Sequence, residues 1–428
     1  MATDFVLPDD GQGSAVLFGI TPHGDSRSEP VALAELERLA DTFGFATTGR
    51  LVQHRRSADP NNYMGSGKLQ ELKELIHDSA AEVAICNDTL SPAQGRNVGQ
   101  LLEIPTIDRS ELILNIFDTH ARTPQAKLQV ELASLEYQLP RLKRMWTHLE
   151  RQRGGIGLRG GAGEKQIDVD RSELRAKISQ AQRKLRLIEA RKSRMVASRG
   201  EQFTVALVGY TNAGKSTLMN QLTKADVLTQ DRLFSTLDTR TRPWRLSGGR
   251  TILVSDTVGF IQDLPHQLVA SFHATLEEAL SADLLVVMID SADPDALHQT
   301  NTVEDVLTEL GAAHIPRLYL LNKVDAVADK SQLARLYHHA PKAVAVSART
   351  GEGVNRLETE VVSHLASVEE TVDILVPHTA GALRAEIRKL TTVLAEDHTE
   401  EGSLMRILAN PRLLGRLLAK GAQQNPSR

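Results

Sequence analysis

Short apolar runs alternate along this chain with stretches in which apolar residues recur every three or four positions. Ala15 to Ile20, Ala46 to Gln53, Val83 to Cys86 and Ile104 to Ile107 read as strands, with helical periodicity between them at Val31 to Phe43, Lys68 to Ile76 and Pro92 to Leu102. Parallel strands need long crossovers, so this alternation predicts a parallel α/β domain over residues 1–125. Inside it, Gly65-Ser66-Gly67-Lys68 is too short between its first glycine and its lysine to wrap a phosphate. It reads as a turn that opens a helix, the sharper alternative being a contact with a phosphate or an RNA backbone.

From 126 to 199 the period changes. Leu128, Leu132, Leu135, Leu139, Leu142, Trp146 and Leu149 follow steps of four and three, and Leu174, Ile178, Ala181, Leu185, Ile188 and Met195 form a second such series. Two such helices predict an antiparallel α-hairpin, kinked at Pro140, which removes a helix hydrogen bond. The stretch between them, Arg151 to Lys165, holds six glycines, at 154, 155, 157, 160, 161 and 163. Joining two neighbouring helices takes only a few residues, so its length serves something else. Arg151, Arg153 and Arg159 meet no acid before Glu164, and after Asp170 the second helix sets Arg171, Arg175, Lys177, Arg183, Lys184, Arg186, Arg191, Lys192, Arg194 and Arg199 against Glu173 and Glu189. A solvated helix mixes its charges; this arm is one-signed. It predicts a contact with a polyanion, RNA, through Arg153, Gly154, Gly155, Arg159, Lys165 and Arg171. The alternative is a dimerising coiled coil.

Phe203 to Val208 is an apolar run that breaks at Gly209 into Tyr210-Thr211-Asn212-Ala213-Gly214-Lys215-Ser216-Thr217, followed by the helix-compatible Leu218 to Leu222. Strand, G-x-x-x-x-G-K-S and helix in that order predict a phosphate loop: backbone N–H groups around the phosphates, the Lys215 ammonium on the β- and γ-phosphates, and the Ser216 hydroxyl on Mg²⁺. Asp256-Thr257-Val258-Gly259 ends the strand-like Thr251 to Ser255 and supplies a D-x-x-G for the γ-phosphate and Mg²⁺. Thr236, after Phe234 and Ser235, is the candidate mobile threonine that completes the metal ligands with Ser216, Asp256 acting from behind them. Lys215, Thr236 and Gly259 form the catalytic set.

Asn322-Lys323-Val324-Asp325 ends a further apolar run, and Ser347-Ala348-Arg349 follows Ala343 to Val346. A carboxylate at Asp325 accepts both N1–H and N2–H₂ of guanine, a pattern adenine lacks, which favours GTP and GDP over ATP by about 1–3 kcal/mol. Phe260 stands where a glutamine orients the attacking water in Ras-like proteins, so slow intrinsic hydrolysis accelerated by a partner is expected. Asn212 occurs in GTPases that recruit K⁺, or is a plain turn residue. These segments place a GTPase domain at 200–367, and the strand and helix patterns after it a small α+β domain at 368–428.

At 428 residues the chain exceeds a single core, and 41% hydrophobic with 4% aromatic residues describes a globular protein with aliphatic cores. Its one cysteine, Cys86, leaves no internal disulfide and fits a reducing compartment. The start lacks the basic and apolar regions of a signal peptide, and no run approaches the ~20 apolar residues of a membrane span, so a cytoplasmic location is expected. The net charge of −4 says nothing about nucleic acid; its distribution does.

Gly209-Tyr-Thr-Asn-Ala-Gly-Lys-Ser216, Asp256-Thr-Val-Gly-Phe260, Thr236-Leu-Asp238 and above all Gly154-Gly-Ile-Gly-Leu-Arg-Gly-Gly-Ala-Gly-Glu164 resemble the HflX family of ribosome-associated GTPases. Arg122-Thr123 with Lys127-Leu-Gln-Val-Glu-Leu132 is similar to that family's first arm helix, and the likeness runs over about residues 15–410, with Ala162 where a proline is usual. The resemblance implies a monomeric cytoplasmic GTPase that binds the large ribosomal subunit and its rRNA through the N-terminal domain and glycine-rich arm. It further implies stimulation by ribosomes and dissociation of stalled or idle ones under stress. The rivals are a tRNA-modification GTPase that dimerises through the arm, a scaffold locked by GTP, and an ATP-driven RNA remodeller.

Overall fold

The computed structural model describes residues 13–22, 32–142, 162–199, 202–224, 234, 240–261 and 280–424, without side chains at 162–167, 189, 191–199 and 412. The chain falls into two compact units, the first built on Met1–Ile188 and including Phe234, the second on the remainder.

In the first unit, strands β1 (Gly13–Thr21), β2 (Phe45–His54), β3 (Val83–Cys86) and β4 (Thr106–Asp108) form a parallel sheet in the order β2-β1-β3-β4. Helices α1 (Ala34–Phe43), α2 (Ser66–Ser79) and α3 (Pro92–Leu102) make the crossovers, as the pattern predicts. Phe18, Leu72, Ile76, Val98 and Leu102 are buried in its core with Cys86, which is a free thiol. Gly65 precedes the first residue of α2 in an extended conformation and Lys68 pairs with Glu71, so Gly65 to Lys68 is the helix-opening turn.

Two further helices follow. Helix α4 (Arg109–His120) is opened by the Asp108 carboxylate, which accepts from the Glu111 N–H, and buries Leu112, Ile113, Ile116 and Phe117. Helix α5 (Pro124–Gln138) is opened by Thr123 and ends in a tight 3₁₀ turn, Leu139–Arg141. Gln138, Leu139 and Leu142 keep right-handed helical angles and Leu142 is helical again, so Pro140, which has no N–H to donate, interrupts the ladder within a helical path, as the expected kink requires. Arg141 lies over the Tyr137 ring, 3.7 Å from its centre, and bonds the Leu90 carbonyl and Asp108. Trp146, Leu149 and the glycine-rich stretch up to residue 161 lie outside the described residues. The second arm is helix α6 (Ala162–Arg199), which begins inside the stretch expected to be loop. Ala181 and Leu185 of α6 are buried against Leu132, with Leu128 and Ile178 packed around them, so the two heptad faces do meet.

In the second unit a six-stranded sheet has the order β10-β9-β8-β5-β7-β6. Its strands are β5 (Thr204–Gly209), β6 (Arg240–Arg245), β7 (Thr251–Asp256), β8 (Leu284–Asp290), β9 (Arg317–Asn322) and β10 (Val344–Ala345). All neighbours are parallel except β6 against β7. Helices α7 (Lys215–Thr223), α8 (Ala296–Glu309), α9 (Lys330–His339) and α10 (Val354–Ser367) accompany it. The central strands β5 and β8 are buried along nearly their whole length, which is why they read as unbroken apolar runs.

The unit ends in an antiparallel sheet, β12-β13-β11-β14. Strands β11 (Glu370–Pro377), β12 (Thr392–His398), β13 (Gly402–Ala409) and β14 (Gln423–Gln424) are interleaved with helices α11 (Gly381–Leu390) and α12 (Pro411–Ala419) as β-α-β-β-α-β. Ile374, Val376, Ile387, Met405, Ile407 and Leu417 are its most enclosed residues. The buried Arg250–Glu369 ion pair, with Arg250 also bonded to Thr392 and the Leu390 carbonyl, ties this sheet to the β6–β7 turn.

Candidate functional site

The loop after β5 turns where side chains would obstruct it. Gly214 has φ +91°, and a Cβ there would stand 2.3 Å from the Asn322 Nδ2. A Cβ on Gly259 would meet the Thr211 Cα at 2.8 Å and the Lys215 Nζ at 3.0 Å, so the D-x-x-G segment lies directly against the phosphate loop. Asn212 adopts φ +61°, as a turn residue can. A parallel bridge joins Tyr210 to Phe260: the Phe260 N–H donates to the Gly209 carbonyl at 3.1 Å, and the Thr211 N–H to the Phe260 carbonyl at 2.7 Å. The Phe260 ring is 2% exposed, so it presents no group that could orient water.

Lys215 is buried, its ammonium donating to the Tyr210 carbonyl at 2.8 Å and the Gly209 carbonyl at 3.1 Å. Burial lowers its pKa from 10.5 to about 8, opposed in part by Asp256. The Ser216 hydroxyl donates to the Asp256 Oδ2 at 2.6 Å. Thr257 is fully buried, its hydroxyl donating to the Leu207 carbonyl at 2.7 Å, and Val258 is buried beside it. Ala213 is buried, and Thr217 lies in the first turn of α7.

At the ends of β9 and β10 the second half of the site assembles. Asn322, 1% exposed, donates through Nδ2 to the Ala213 carbonyl at 2.7 Å and accepts the Ala348 N–H at 2.9 Å, clamping the phosphate loop to the Ser347–Arg349 turn. Hydrogen bonding from Ser347, and then the Arg349 guanidinium, hold the Asp325 carboxyl below the usual carboxylate range. Lys323 pairs with Asp290 at 2.7 Å. Sequence reasoning passed over Asp290, although a carboxylate ending an apolar strand was a readable signal.

Gly209 to Thr217, Asp256 to Gly259, Asn322, Lys323, Asp325 and Ser347 to Arg349 thus lie in one unit on the C-terminal side of one sheet. The Phe234 ring is 2% exposed and packs edge-on against Phe117. Ser235, Thr236, Arg153, Gly154, Gly155 and Arg159 lie outside the described residues; Lys165 is on α6, and Arg171 is a half-exposed residue of the same helix.

A phosphate loop closing the central strand of a parallel sheet, with a carboxylate and an asparagine placed at the next strand ends, defines a P-loop GTPase. The chain matches the families described as GTP-binding GTPase N-terminal over residues 31–118, GTP-binding GTPase Middle Region over 120–199 and 50S ribosome-binding GTPase over 204–323. It belongs to the HflX family: it is 43% identical to the GTPase HflX of Magnetococcus marinus over 90% of this chain and 89% of that one. It is 40% identical to the GTPase HflX of Escherichia coli over 91% and 92%. A solved GTP-binding protein from the archaeon Sulfolobus solfataricus, in complex with GDP, overlays at TM-score 0.44 and 24% identity, over 82% of this chain and 98% of that one. The chain is a GTP-hydrolysing enzyme.

Among the described residues no helix is long and apolar enough to cross a membrane, and no three His, Cys, Asp or Glu side chains group as a metal site. A hard cation shared with phosphate needs fewer protein ligands, and the Ser216 hydroxyl beside the Asp256 carboxylate is an oxygen set that suits Mg²⁺.

The Lys215 shift sets a pH dependence. Phosphate oxygens replacing the two carbonyls would favour the charged ammonium, so above about pH 8 nucleotide binding must take up a proton. Affinity is expected to be level below that pH and to fall by up to about tenfold per unit above it, with a buffer-dependent binding enthalpy that calorimetry would detect. An affinity unchanged to about pH 9.5 would contradict this. For folding the sign is opposite: between about pH 8 and 10.5 the unfolded lysine binds the proton that the buried one has lost, so this group's contribution to stability rises with pH.

Proposed function

We propose that this GTPase binds the large ribosomal subunit in a GTP-dependent way, through the first unit and its arm, and separates stalled or idle ribosomes into subunits in the cytoplasm. The observation that carries this is the surface of α6. Arg175, Lys177, Arg183, Lys184 and Arg186 are exposed along it, and none forms an ion pair among the described residues. Elsewhere cations are commonly neutralised, as in Arg109–Glu35, Arg317–Glu304 and Arg406–Asp373. An unneutralised cationic helix beside a glycine-rich stretch suits an RNA backbone, where released counterions supply the binding free energy. The Escherichia coli relative's family membership and the description 50S ribosome-binding GTPase support the same partner.

GTP is the control. Lys215 exchanges the Gly209 and Tyr210 carbonyls for phosphate oxygens, and the Gly259 N–H and Thr236 close on the γ-phosphate. Ser216 and Thr236 would hold Mg²⁺ with Asp256 behind them, and the ion would neutralise phosphate charge. Asn212 would admit K⁺ beside it. Since the Phe260 ring is buried, placing the attacking water falls to the ribosome, which accounts for a partner-stimulated rate. Hydrolysis removes the γ-phosphate contacts and releases the arm. The protein acts as a monomer. Co-sedimentation with purified large subunits in GTP, GDP and a non-hydrolysable analogue tests this.

A further inference from the structure

We propose that Asp290, at the end of β8, is a positioning residue for guanine recognition: it holds the Lys323 ammonium and through it sets the turn that carries Asp325. This rests on the reading of Asp325 as the carboxylate that accepts from the base. In the sheet β8 lies between β5, which runs into the phosphate loop, and β9, which runs into Asn322 and Lys323. It abuts both. A Cβ on Gly209 would stand 2.5 Å from the Met288 carbonyl oxygen, and Asp290 is in register with Asn322. A carboxylate at the tip of this middle strand therefore sits beside both halves of the nucleotide site.

The carboxylate is itself fixed. Its Oδ1 accepts the Ala292 N–H at 3.0 Å, and its Oδ2 pairs with the Lys323 Nζ at 2.7 Å. The next residue, Ser291, donates its N–H to the Asn322 carbonyl at 2.9 Å, which keeps the two strand ends together. The Asp290 and Lys323 side chains are 14% and 30% exposed, so the pair is largely withdrawn from water while its charges stay partly screened.

Lys323 is also where the backbone turns. Its φ is +60°, in the left-handed region that a lysine rarely adopts. It opens a 3₁₀ turn, Val324–Ala326, with Asp325 in the middle, and its carbonyl accepts the Ala326 N–H at 2.9 Å. Such a backbone persists only where the surroundings over-determine it. Asn322, bonded to the Ala213 carbonyl and the Ala348 N–H, fixes the residue before; Asp290 fixes the far end of the Lys323 side chain. Without that carboxylate a flexible four-carbon stem no longer steadies the turn, and Asp325 loses its aim at the base. Charge alone acts in the opposite sense, since a carboxylate beside a phosphate site repels the ligand. A variant that removes this charge and yet reads guanine less well therefore reports positioning.

The test is the ratio of Kd values for inosine diphosphate and guanosine diphosphate, ligands that share every phosphate contact and differ only in the N2 amino group. It is measured with Mg²⁺ on the full chain and on Asp290→Asn, Lys323→Met and the double variant, beside thermal melts. The native ratio is expected to favour guanosine by about tenfold or more, because inosine leaves one acceptor of Asp325 unpaired. Each single variant is expected to lower the ratio by about threefold, and the double no further. Asparagine keeps the shape and the acceptor for the Ala292 N–H, so only the pairing charge is lost. A lower melting temperature with an unchanged ratio would make the pair simple structure and overturn the proposal; so would losses that add in the double. If Asp290→Asn does not fold, Lys323→Arg, which keeps the pair, must hold the ratio that Lys323→Met loses, and equal ratios in the two overturn the proposal. Asp325→Ala separates the two levels: if it leaves the ratio intact, the role of Asp325 fails; if it collapses the ratio while the Asp290 and Lys323 variants keep it, only the positioning fails.

Discussion

Lys215→Ala is expected to abolish measurable GTP and GDP binding at micromolar concentrations. The ammonium can meet two phosphate oxygens through charge-assisted hydrogen bonds worth about 1.5–3 kcal/mol each, so its loss weakens binding by roughly 10²–10⁴-fold. The protein should survive the change. The lysine is buried with its charge on the Gly209 and Tyr210 carbonyls, a costly placement for an ammonium, and alanine leaves only those two acceptors underused. Titration with a fluorescent guanine nucleotide, beside a thermal melt, checks both parts. Retained binding within about threefold of the native chain would contradict the assignment of the phosphate loop.

Asp325→Asn is expected to exchange guanine for xanthine. The carboxylate can accept both N1–H and N2–H₂; the amide turns one acceptor into a donor and faces the N2 group with like polarity. A site built around such hydrogen bonds rejects the mismatched base by about 10²-fold or more, and xanthine, with a carbonyl oxygen at C2, recovers the lost bond. The side effect on the fold is small, because the Arg349 side chain that pairs with Asp325 is 77% exposed and water can take over its partner's place. Competition between GTP and xanthosine triphosphate, read as relative Kd, measures the exchange. Undiminished guanine preference would remove Asp325 from base recognition.

Much of this site was legible because its chemistry is local. A phosphate loop needs glycine where Asn322 and Thr211 come within a Cβ's reach, and its strands, enclosed on both faces, leave uninterrupted apolar runs in the sequence. The same holds for the α/β alternation at the start and for the heptads that bring Leu132 against Ala181 and Leu185. What escaped depends on distant partners. Helix α4 went unread between the first domain and the hairpin, although Leu112, Ile113, Ile116 and Phe117 have helical spacing after the Asp108 cap. Strand β14 consists of two glutamines, Gln423 and Gln424, that are strand only because β11 pairs with them. No short pattern tells that Phe234 packs against Phe117, or that the Phe260 backbone bridges to Tyr210. Pro140 was legible as an interruption of the helix, whereas the contacts of Arg141 beside it with Tyr137, Leu90 and Asp108 were not.

The central claim is that guanine nucleotide bound in the second unit controls a cationic arm that grips ribosomal RNA. Pelleting the purified chain with isolated large subunits through a sucrose cushion tests it most directly, at several salt concentrations and with GTP, GDP or a non-hydrolysable GTP analogue. The account predicts firm co-pelleting with the analogue, little with GDP, and an association that weakens steeply as salt rises. Equal pelleting with every nucleotide, or none with any, would contradict it.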